Sequence, residues 1–300
     1  MLDQLSANDL DTLDDVLGRF IESQATRVTL DNLKEQLDRG MSEGSLELFG
    51  EKQSDEVVGL VAVGLSSNRI GLLFSGGNEA MDTHLFEFAY DRMRKRGGPI
   101  RVGGSWLTRS LIDYALNRGF TRFDRDYMIV ERKTLEAIVS HDLPDGYTFA
   151  NYDSHVKDSV ADLIHRSHKG ALDVILFPEL FGSLEACSLL LRNTQDNRYG
   201  QYSSHSKILK HDGKVVGVIL LSVVRENRGY IPDICIDPDY RRQGLGRLLM
   251  VHSLKHLLAN EEWITGVNLD VTIGNYARNL YESLGFVKER GYPVLVMEGQ

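Results

Sequence analysis

The sequence has little cysteine and no long apolar run, and both absences restrict the class of protein. Its 300 residues include only two cysteines, Cys187 and Cys235, which are too few for the disulfide framework of a small secreted domain. No stretch has the length and apolarity of a transmembrane helix, and the first residues lack the basic start and apolar core of a signal peptide. We therefore expect a cytoplasmic protein in a reducing compartment, with no membrane partner.

An excess of positive charge is also missing. Lys and Arg total 34 against 43 Asp and Glu, which gives a net charge of −9 at pH 7. We expect no nucleic-acid partner, because general binding to phosphates needs a basic surface. An amine substrate is compatible with the acidic balance. Because 42% of the residues are hydrophobic and 26% charged, the composition is that of a soluble globular protein, long enough for two domains.

The most informative stretch runs from an apolar strand into a helix, over residues 234–247. Gly244 and Gly246 remove side chains where a ligand must lie against the backbone. The helix that follows offers free N–H groups and the positive end of its dipole, so the loop is suited to a pyrophosphate. The order Arg241-x-x-Gly244-x-Gly246 lacks the Lys-Ser/Thr of a P-loop and the third glycine of a dinucleotide-binding loop.

The pattern resembles motif A of the GNAT (N-acetyltransferase) superfamily, Gln/Arg-x-x-Gly-x-Gly/Ala. A second segment, Leu280-Tyr281-x-x-x-Gly285-Phe286, resembles motif B of the same family, in the family's order and at about its spacing. The resemblance implies an acetyl-CoA-dependent N-acetyltransferase that acts on a primary amine, a small molecule or a peptide, without a metal ion. A CoA-binding sensor or regulatory protein without turnover is the alternative.

The resemblance implies that the strand backbone binds the pantetheine arm of acetyl-CoA and that the loop amides bind its pyrophosphate. The candidate acetyl-CoA residues are Ile234, Cys235, Ile236, Arg241, Arg242, Gln243, Gly244, Leu245, Gly246, Arg247, Asn275 and Tyr281. Asn275 serves equally well as the N-cap of the motif B helix. The side chain of Cys235 is interpreted as a small buried hydrophobe and not as a nucleophile.

Acyl transfer from a thioester needs a neutral amine and a proton for the departing thiolate. The resemblance implies that Tyr281 supplies this proton. The general base stays open: Asp233 is a candidate catalytic residue, although it alternates to the face opposite Ile234. Tyr230 has the favourable face, Glu226 lies near the start of the strand, and a water relay is also compatible with the family.

The acceptor site is expected within residues 156–191, which correspond to the first two helices of a GNAT domain. Its loop is rich in apolar residues around Asp173 and Glu179, which favours an amine with a hydrophobic portion. The pairs His165/His168 and His252/His256 have helical spacing but no third metal ligand, so we interpret them as surface histidines.

The chain contains an internal repeat. Both halves fit the element order β-α-α-β-β-β-α-β-α-β, which predicts a mixed α/β (α+β) fold of two tandem GNAT-like domains. Each domain would have a mixed, mostly antiparallel sheet flanked by helices, with bounds 1–135 and 145–300.

The N-terminal copy is expected to be degenerate. Its loop, residues 75–80, has no arginine and contains Glu79, and Ala115 stands where the other copy has Tyr281. One active site per chain is therefore predicted, in the C-terminal domain. The acceptor, the acyl length and the choice between monomer and homodimer stay open.

Overall fold

A computed structural model describes residues 2–23, 29–54, 56–224 and 227–299. The chain divides into two compact units. Unit 1 comprises Met1–Asp124 and Tyr292–Gln300, and unit 2 comprises Arg125–Gly291. Among the described ranges, no helix is long and apolar enough to cross a bilayer.

Among the described residues, the first part of the chain has six strands and four α-helices. In chain order these are β1 (Asp3–Leu5), α1 (Asp14–Ser23), α2 (Leu30–Ser42), β2 (Leu46–Gln53), β3 (Glu56–Gly64), β4 (Arg69–Phe74), α3 (Glu79–Arg96), β5 (Ile100–Gly103), α4 (Arg109–Asn117) and β6 (Thr121–Glu131).

Within the part of the second half that the structure describes, there are seven strands and seven α-helices. In chain order these are α5 (Arg132–Ala137), β7 (Tyr147–Asn151), α6 (Lys157–His168), α7 (Leu172–Leu176), α8 (Pro178–Phe181), α9 (Leu184–Gln195), β8 (Gln201–Tyr202), β9 (Lys207–His211), β10 (Lys214–Val224), β11 (Arg228–Ile236), α10 (Leu245–Asn260), β12 (Gly266–Thr272), α11 (Ala277–Ser283) and β13 (Val287–Met297).

Unit 1 is built on a sheet of strand order β1-β2-β3-β4-β5-β13. The described pairs are antiparallel except β4 with β5, which run parallel. Its core fills with large apolar side chains that are almost fully excluded from solvent, among them Leu60, Phe86 and Met93.

Unit 2 repeats this plan with the strand order β6-β12-β11-β10-β9-β7, and the short β8 pairs with β10. Again one neighbouring pair, β11 with β12, is parallel. One face of the sheet packs against α10 and α11 through residues such as Leu249 and Phe286. The other face packs against α6 and α9 through Ile164 and Leu190.

The mixed fold and the repeat predicted from the sequence are therefore present. The compact units differ from the expected bounds of 1–135 and 145–300. Within unit 2, β6 pairs with β12 from Arg125 to Glu131, and within unit 1 the end of β13 pairs with β5 from Val294 to Met297. The segment between the two expected domains, residues 136–144, begins within α5. Strand pairing joins segments that are far apart in sequence, so the local sequence could not locate these limits.

The two units end their last helix in the same way. In unit 2 the N–H of Phe286 donates to the carbonyl of Tyr281, and in unit 1 the N–H of Phe120 donates to that of Ala115, each at 3.1 Å. A glycine with positive φ precedes each phenylalanine. Ala115 is thus the backbone equivalent of Tyr281.

Candidate active site

The two parallel strands of unit 2 separate toward their C-terminal ends. β11 and β12 pair from Arg228/Gly266 to Tyr230/Asn268, although the strands continue to Ile236 and Thr272. The β12-facing edge of β11 beyond Tyr230 is therefore left without a sheet partner within residues 227–299. Such an edge can accept an extended amide-bearing ligand as an added strand.

A bulge lies where the strands part. On the other side of β11, Leu220 pairs with Asp233 and Ser222 with Tyr230, so two residues of β11 oppose one of β10. One of the two is Pro232, which has no N–H for a ladder hydrogen bond. A bulge bends its strand and increases the local twist, and this explains why β11 turns away from β12 at this point.

The glycine-spaced loop follows directly after the open edge. Gly244 has φ 78°, and a Cβ there would meet no atom within 4 Å, so the glycine is required by the backbone conformation and not by packing. At Gly246 a Cβ would make only ordinary contacts, 3.5 Å from Leu280 and 3.7 Å from Ile236, so packing does not require the glycine there. The amides of residues 243–246 donate to no protein acceptor among the described residues, and the first turn of α10 carries no acidic side chain.

Arg241 lies inside the loop and does not reach outward. Its Nε donates to the carbonyl of Ile236 at 3.0 Å, and its Nη2 donates to the carbonyl of Ser167 at 2.7 Å. The guanidinium thereby holds the strand end against α6. The sequence suggested that the Arg241 guanidinium is available for a phosphate. In the structure it instead forms hydrogen bonds to backbone carbonyls.

The other predicted loop side chains are more open. Arg242 is exposed and adopts φ 64°, a left-handed conformation. Gln243 is exposed and accepts from the Tyr147 hydroxyl at 3.3 Å. Arg247 donates to the Ser283 hydroxyl at 3.1 Å, which joins the start of α10 to the end of α11.

Tyr281 lies on α11 and is 7% exposed. Its hydroxyl has no hydrogen-bond partner among the described residues. Burial raises the pKa of this phenol, and the nearby carboxylates of Asp233 and Asp173 raise it further. The hydroxyl is therefore protonated at neutral pH, as a proton donor must be.

Asn275 connects the end of β12 to the helix of the expected acceptor site. Its Oδ1 accepts from the N–H of Ala277 at 2.9 Å, and its Nδ2 donates to Asp173 at 3.3 Å. Asp173 also accepts from Arg125 at 3.2 Å and from Thr272 at 2.8 Å. Asn275 thus accepts a hydrogen bond from the first residue of α11, one position before the N-cap Tyr276. Asp173 is neutralised within the protein and is not available to a cationic substrate.

Asp233 and His168 form a buried pair on the opposite face of β11 from Ile234. The Asp233 Oδ1 atom lies 3.0 Å from Nε2 of His168 at the end of α6. The imidazole stacks on Phe181, with ring centroids 4.1 Å apart. Burial lowers the pKa of His168, but the adjacent Asp233 carboxylate raises it by more, so the net direction is upward.

Family comparison agrees with this geometry. The acetyltransferase (GNAT) family model matches residues 174–286, a range that includes the open edge of β11, the loop and Tyr281. These residues form a GNAT domain.

Curated and solved relatives extend the comparison. The [ribosomal protein bS18]-alanine N-acetyltransferase of Escherichia coli K12 is 36% identical over 90 residues, which are 28% of this chain and 59% of that protein. The aligned residues of this chain therefore cover less than two thirds of that relative's length.

Two solved structures match the whole chain in fold. A tandem GNAT protein from the clavulanic acid biosynthesis pathway has a TM-score of 0.72 at 15% identity and covers 99% of this chain and 98% of its own. A GCN5-related N-acetyltransferase from Sphaerobacter thermophilus has a TM-score of 0.69 at 14% identity, with 99% and 95% covered. At these identities the likeness shows the fold alone, and it confirms the tandem GNAT-like architecture.

The interpretation of the histidine pairs as surface groups holds for His252, which is exposed, but not for His168. His168 is largely buried, because the end of α6 packs against β11 and α8. His256 instead contacts His205, with their Nδ1 atoms 2.9 Å apart, and His252 stacks on Phe149. Among the described residues no group of three His, Cys, Asp or Glu side chains could hold a metal ion.

The structure brings several predicted residues of the GNAT domain together and adds others. Asp233 and Tyr281 surround the open part of β11, with Cys235 buried beside Asp233, whose charge adds to burial in raising the thiol pKa. Glu226 lies outside the described residues. His168, Arg125 and Thr272 were missed as site residues, because each reaches the site through a contact between distant elements, which no local spacing reveals.

Proposed function

We propose that unit 2 is an acetyl-CoA-dependent N-acetyltransferase that acts on a primary amine. The observation that carries this proposal is the opening between β11 and β12, where the edge of β11 has no sheet partner among the described residues. The loop amides at one end of this opening donate to no described protein acceptor, and the Tyr281 hydroxyl beside it has no described hydrogen-bond partner. A protein that only sensed CoA would have no use for this buried acid.

The residues present fit acetyl-CoA. The edge of β11 at Ile234–Ile236 presents peptide groups to the amide-bearing pantetheine arm. The amides of residues 243–246, at the start of a 16-residue helix, suit the pyrophosphate, and Arg242 is exposed nearby. Acetyl-CoA would supply an acetyl group that is already activated as a thioester, so positioning by the protein contributes much of the rate.

Tyr281 is assigned as the acid. Its hydroxyl would protonate the departing sulfur when the C–S bond breaks, and burial keeps the phenol protonated until then. The amine must lose a proton before it attacks. Among the ionisable groups of β11, Asp233 is the candidate for the base that takes this proton, because it is buried next to the same opening.

The acceptor is tested by an amine screen. Purified protein, acetyl-CoA and a thiol-detecting reagent would be combined with alkylamines, lysine, polyamines and peptides. A peptide with N-terminal alanine belongs in the set, because the Escherichia coli relative is named for an alanine acceptor. We expect CoA release with at least one amine class, confirmed by a mass increase of one acetyl group.

Tight binding of CoA by calorimetry without turnover on any amine would contradict the proposed activity and favour the sensor. Replacing acetyl-CoA by longer acyl-CoA in the same assay would determine the acyl length that the opening accepts.

A further inference from the structure

A polar cluster joins the second half of α10 to the turn that precedes β9. His256 lies on α10, and its Nδ1 atom is 2.9 Å from Nδ1 of His205 in that turn. His205 is buried, and the two ring centroids are 4.9 Å apart. Along the axis of α10, His256 lies about 18 Å beyond Gly244. The cluster is therefore separate from the glycine loop.

The contact between the two Nδ1 atoms fixes the protonation of the rings. A hydrogen bond of this kind needs an N–H on one ring and a lone pair on the other. Nε2 of His205 lies 3.4 Å from Oε1 of Glu261, which as a carboxylate can only accept. Neutral His205 therefore carries its proton on Nε2, and the Nδ1–H of the pair belongs to His256.

A third basic group faces the pair. Lys207 of β9 is 4% exposed, and its ammonium donates to Oδ1 of Asn151. Burial, the Lys207 charge and His205 together lower the pKa of His256. Burial, Lys207 and His256 likewise lower the pKa of His252, one turn earlier on α10. Added protons are thus disfavoured along this side of the helix.

The pair can bind a first proton and keep its hydrogen bond, but it cannot bind a second. The first proton goes to Nε2 of His256, which is not part of the contact. The second can go only to Nδ1 of His205, where it would point at the Nδ1–H of His256. Two opposed donors on two positive rings are strongly unfavourable, although Glu261 lies on the far side of His205. The rings must therefore separate when both are charged.

We propose that His205 and His256 form an acid-sensitive contact between α10 and the turn before β9, which holds with one added proton and opens with the second. The inference does not rest on the proposed function, because none of its readouts involves turnover. Since folding lowers the pKa of His256, the unfolded chain binds more protons below about pH 6.5. The stability that the neutral ring contributes is present above this pH and is lost as pH falls through the folded pKa.

Trp263 provides a local readout. Its indole N–H donates to Oε2 of Glu261 at 2.9 Å, and Oε1 of the same carboxylate contacts His205. We expect its fluorescence to change as pH is lowered from about 8 to about 5, a range above the ordinary pKa of carboxylates. Subtracting the signal of Trp263→Phe removes the contribution of Trp106, the other tryptophan of the chain.

His256→Gln tests the pair. The glutamine amide can donate to Nδ1 of His205 but does not titrate. We expect the variant to lose at least about two thirds of the acid-induced change in Trp263 fluorescence and of the accompanying fall in Tm. His165→Gln on α6 is the matched control, because the His165 ring has no described hydrogen-bond partner. It should show the full wild-type change.

A second measurement does not depend on a variant that folds. In wild-type protein labelled with an NMR-active nitrogen isotope in histidine, NMR should show one Nδ1–H signal shared by His205 and His256. That signal should be lost together with the fluorescence change. Titration of both rings while the signal persists would overturn the proposal, as would an undiminished acid response of folded His256→Gln.

Discussion

The parallel strands separate in both units, and side chains use the two openings differently. In unit 1, β4 and β5 pair at Arg69/Arg101 and Ile70/Val102, and β4 then carries a one-residue bulge at Gly71. The indole of Trp106 donates to the Gly71 carbonyl at 3.2 Å and is 7% exposed. A side chain of unit 1 thus bonds to its separated strand, whereas in unit 2 the β12-facing edge of β11 beyond Tyr230 has no sheet partner among the described residues.

The helix after the opening shows a second difference. α3 begins with Asn78 as its N-cap and has two acids in its first turn, Glu79 and Asp82, whereas the first turn of α10 has none. Burial raises the pKa of Asp82 even though the Ser75 hydroxyl acts to lower it. Negative side chains at this helix end repel a pyrophosphate. The acids of α3 therefore disfavour CoA in unit 1, in addition to the side chain of Trp106.

The third difference is the residue that we propose as the acid. Ala115 occupies the backbone position of Tyr281 and is buried in the core of unit 1. The comparison teaches that the strand opening and the helix geometry are properties of the fold, while binding and catalysis depend on a few side chains placed on it. Four predictions test this.

The largest effect is expected for Tyr281→Phe. Loss of the proton donor should lower kcat by about 100-fold to 10,000-fold with little change in CoA affinity. Tyr114→Phe on α4 is the matched control and should leave turnover unchanged. Steady-state kinetics with calorimetry for CoA measure both quantities. An active Tyr281→Phe would remove the assigned role.

Trp106→Ala tests whether the filled opening of unit 1 is only structural. Removing this buried side chain should lower the free energy of unfolding by about 3–5 kcal/mol, as followed by urea denaturation. Calorimetry should still give one CoA per chain, because the acids of α3 remain. A second CoA site in the variant would show that Trp106 alone closes the opening.

Gly244→Ala and Gly77→Ala form a matched pair, since both glycines have positive φ and no atom within 4 Å of a built Cβ. Each substitution should cost about 1–2 kcal/mol of stability for the left-handed conformation. We expect only Gly244→Ala to raise the KM for acetyl-CoA as well. Equal kinetics in the two variants would mean that the loop of unit 2 does not contact the co-substrate.

The smallest effect concerns Asp82 and pH. Because its pKa is raised on folding, the folded state holds the proton more tightly, and stability is lost as pH rises from about 4 through the folded pKa. Asp82→Asn should remove this decline, whose slope cannot exceed about 1.4 kcal/mol per pH unit for one proton. Urea denaturation at several pH values would measure it, and an unchanged slope would contradict the prediction.

Asp237 of unit 2 provides the contrast. Burial acts to raise its pKa, but Arg166, the N–H of Asp239 and Lys214 lower it by more. Its contribution to stability is therefore present above pH 4 and lost as pH falls through the folded pKa, opposite in sign to that of Asp82.

Much of this organisation was predictable from local sequence. Alternation and helical periodicity predicted the repeated elements, and Gly244, Gly246 and Tyr281 indicated the loop and the position that we propose for the acid. Pro232 was an available signal for the bulge that opens β11, although it was not used. The short helices α7 and α8 were expected as a loop, because five and four residues are too few for a clear period.

The sequence by itself determined the tandem fold, the glycine loop and the inequality of the two copies, since each depends on residues close together in the chain. Only the tertiary structure decided that Arg241 and Asp173 form hydrogen bonds within the protein and that Trp106 bonds to the separated strand of unit 1. It also decided that His168 contacts Asp233. Hydrogen bonds and burial between distant segments decide which polar atoms are satisfied, and no local pattern encodes those distances.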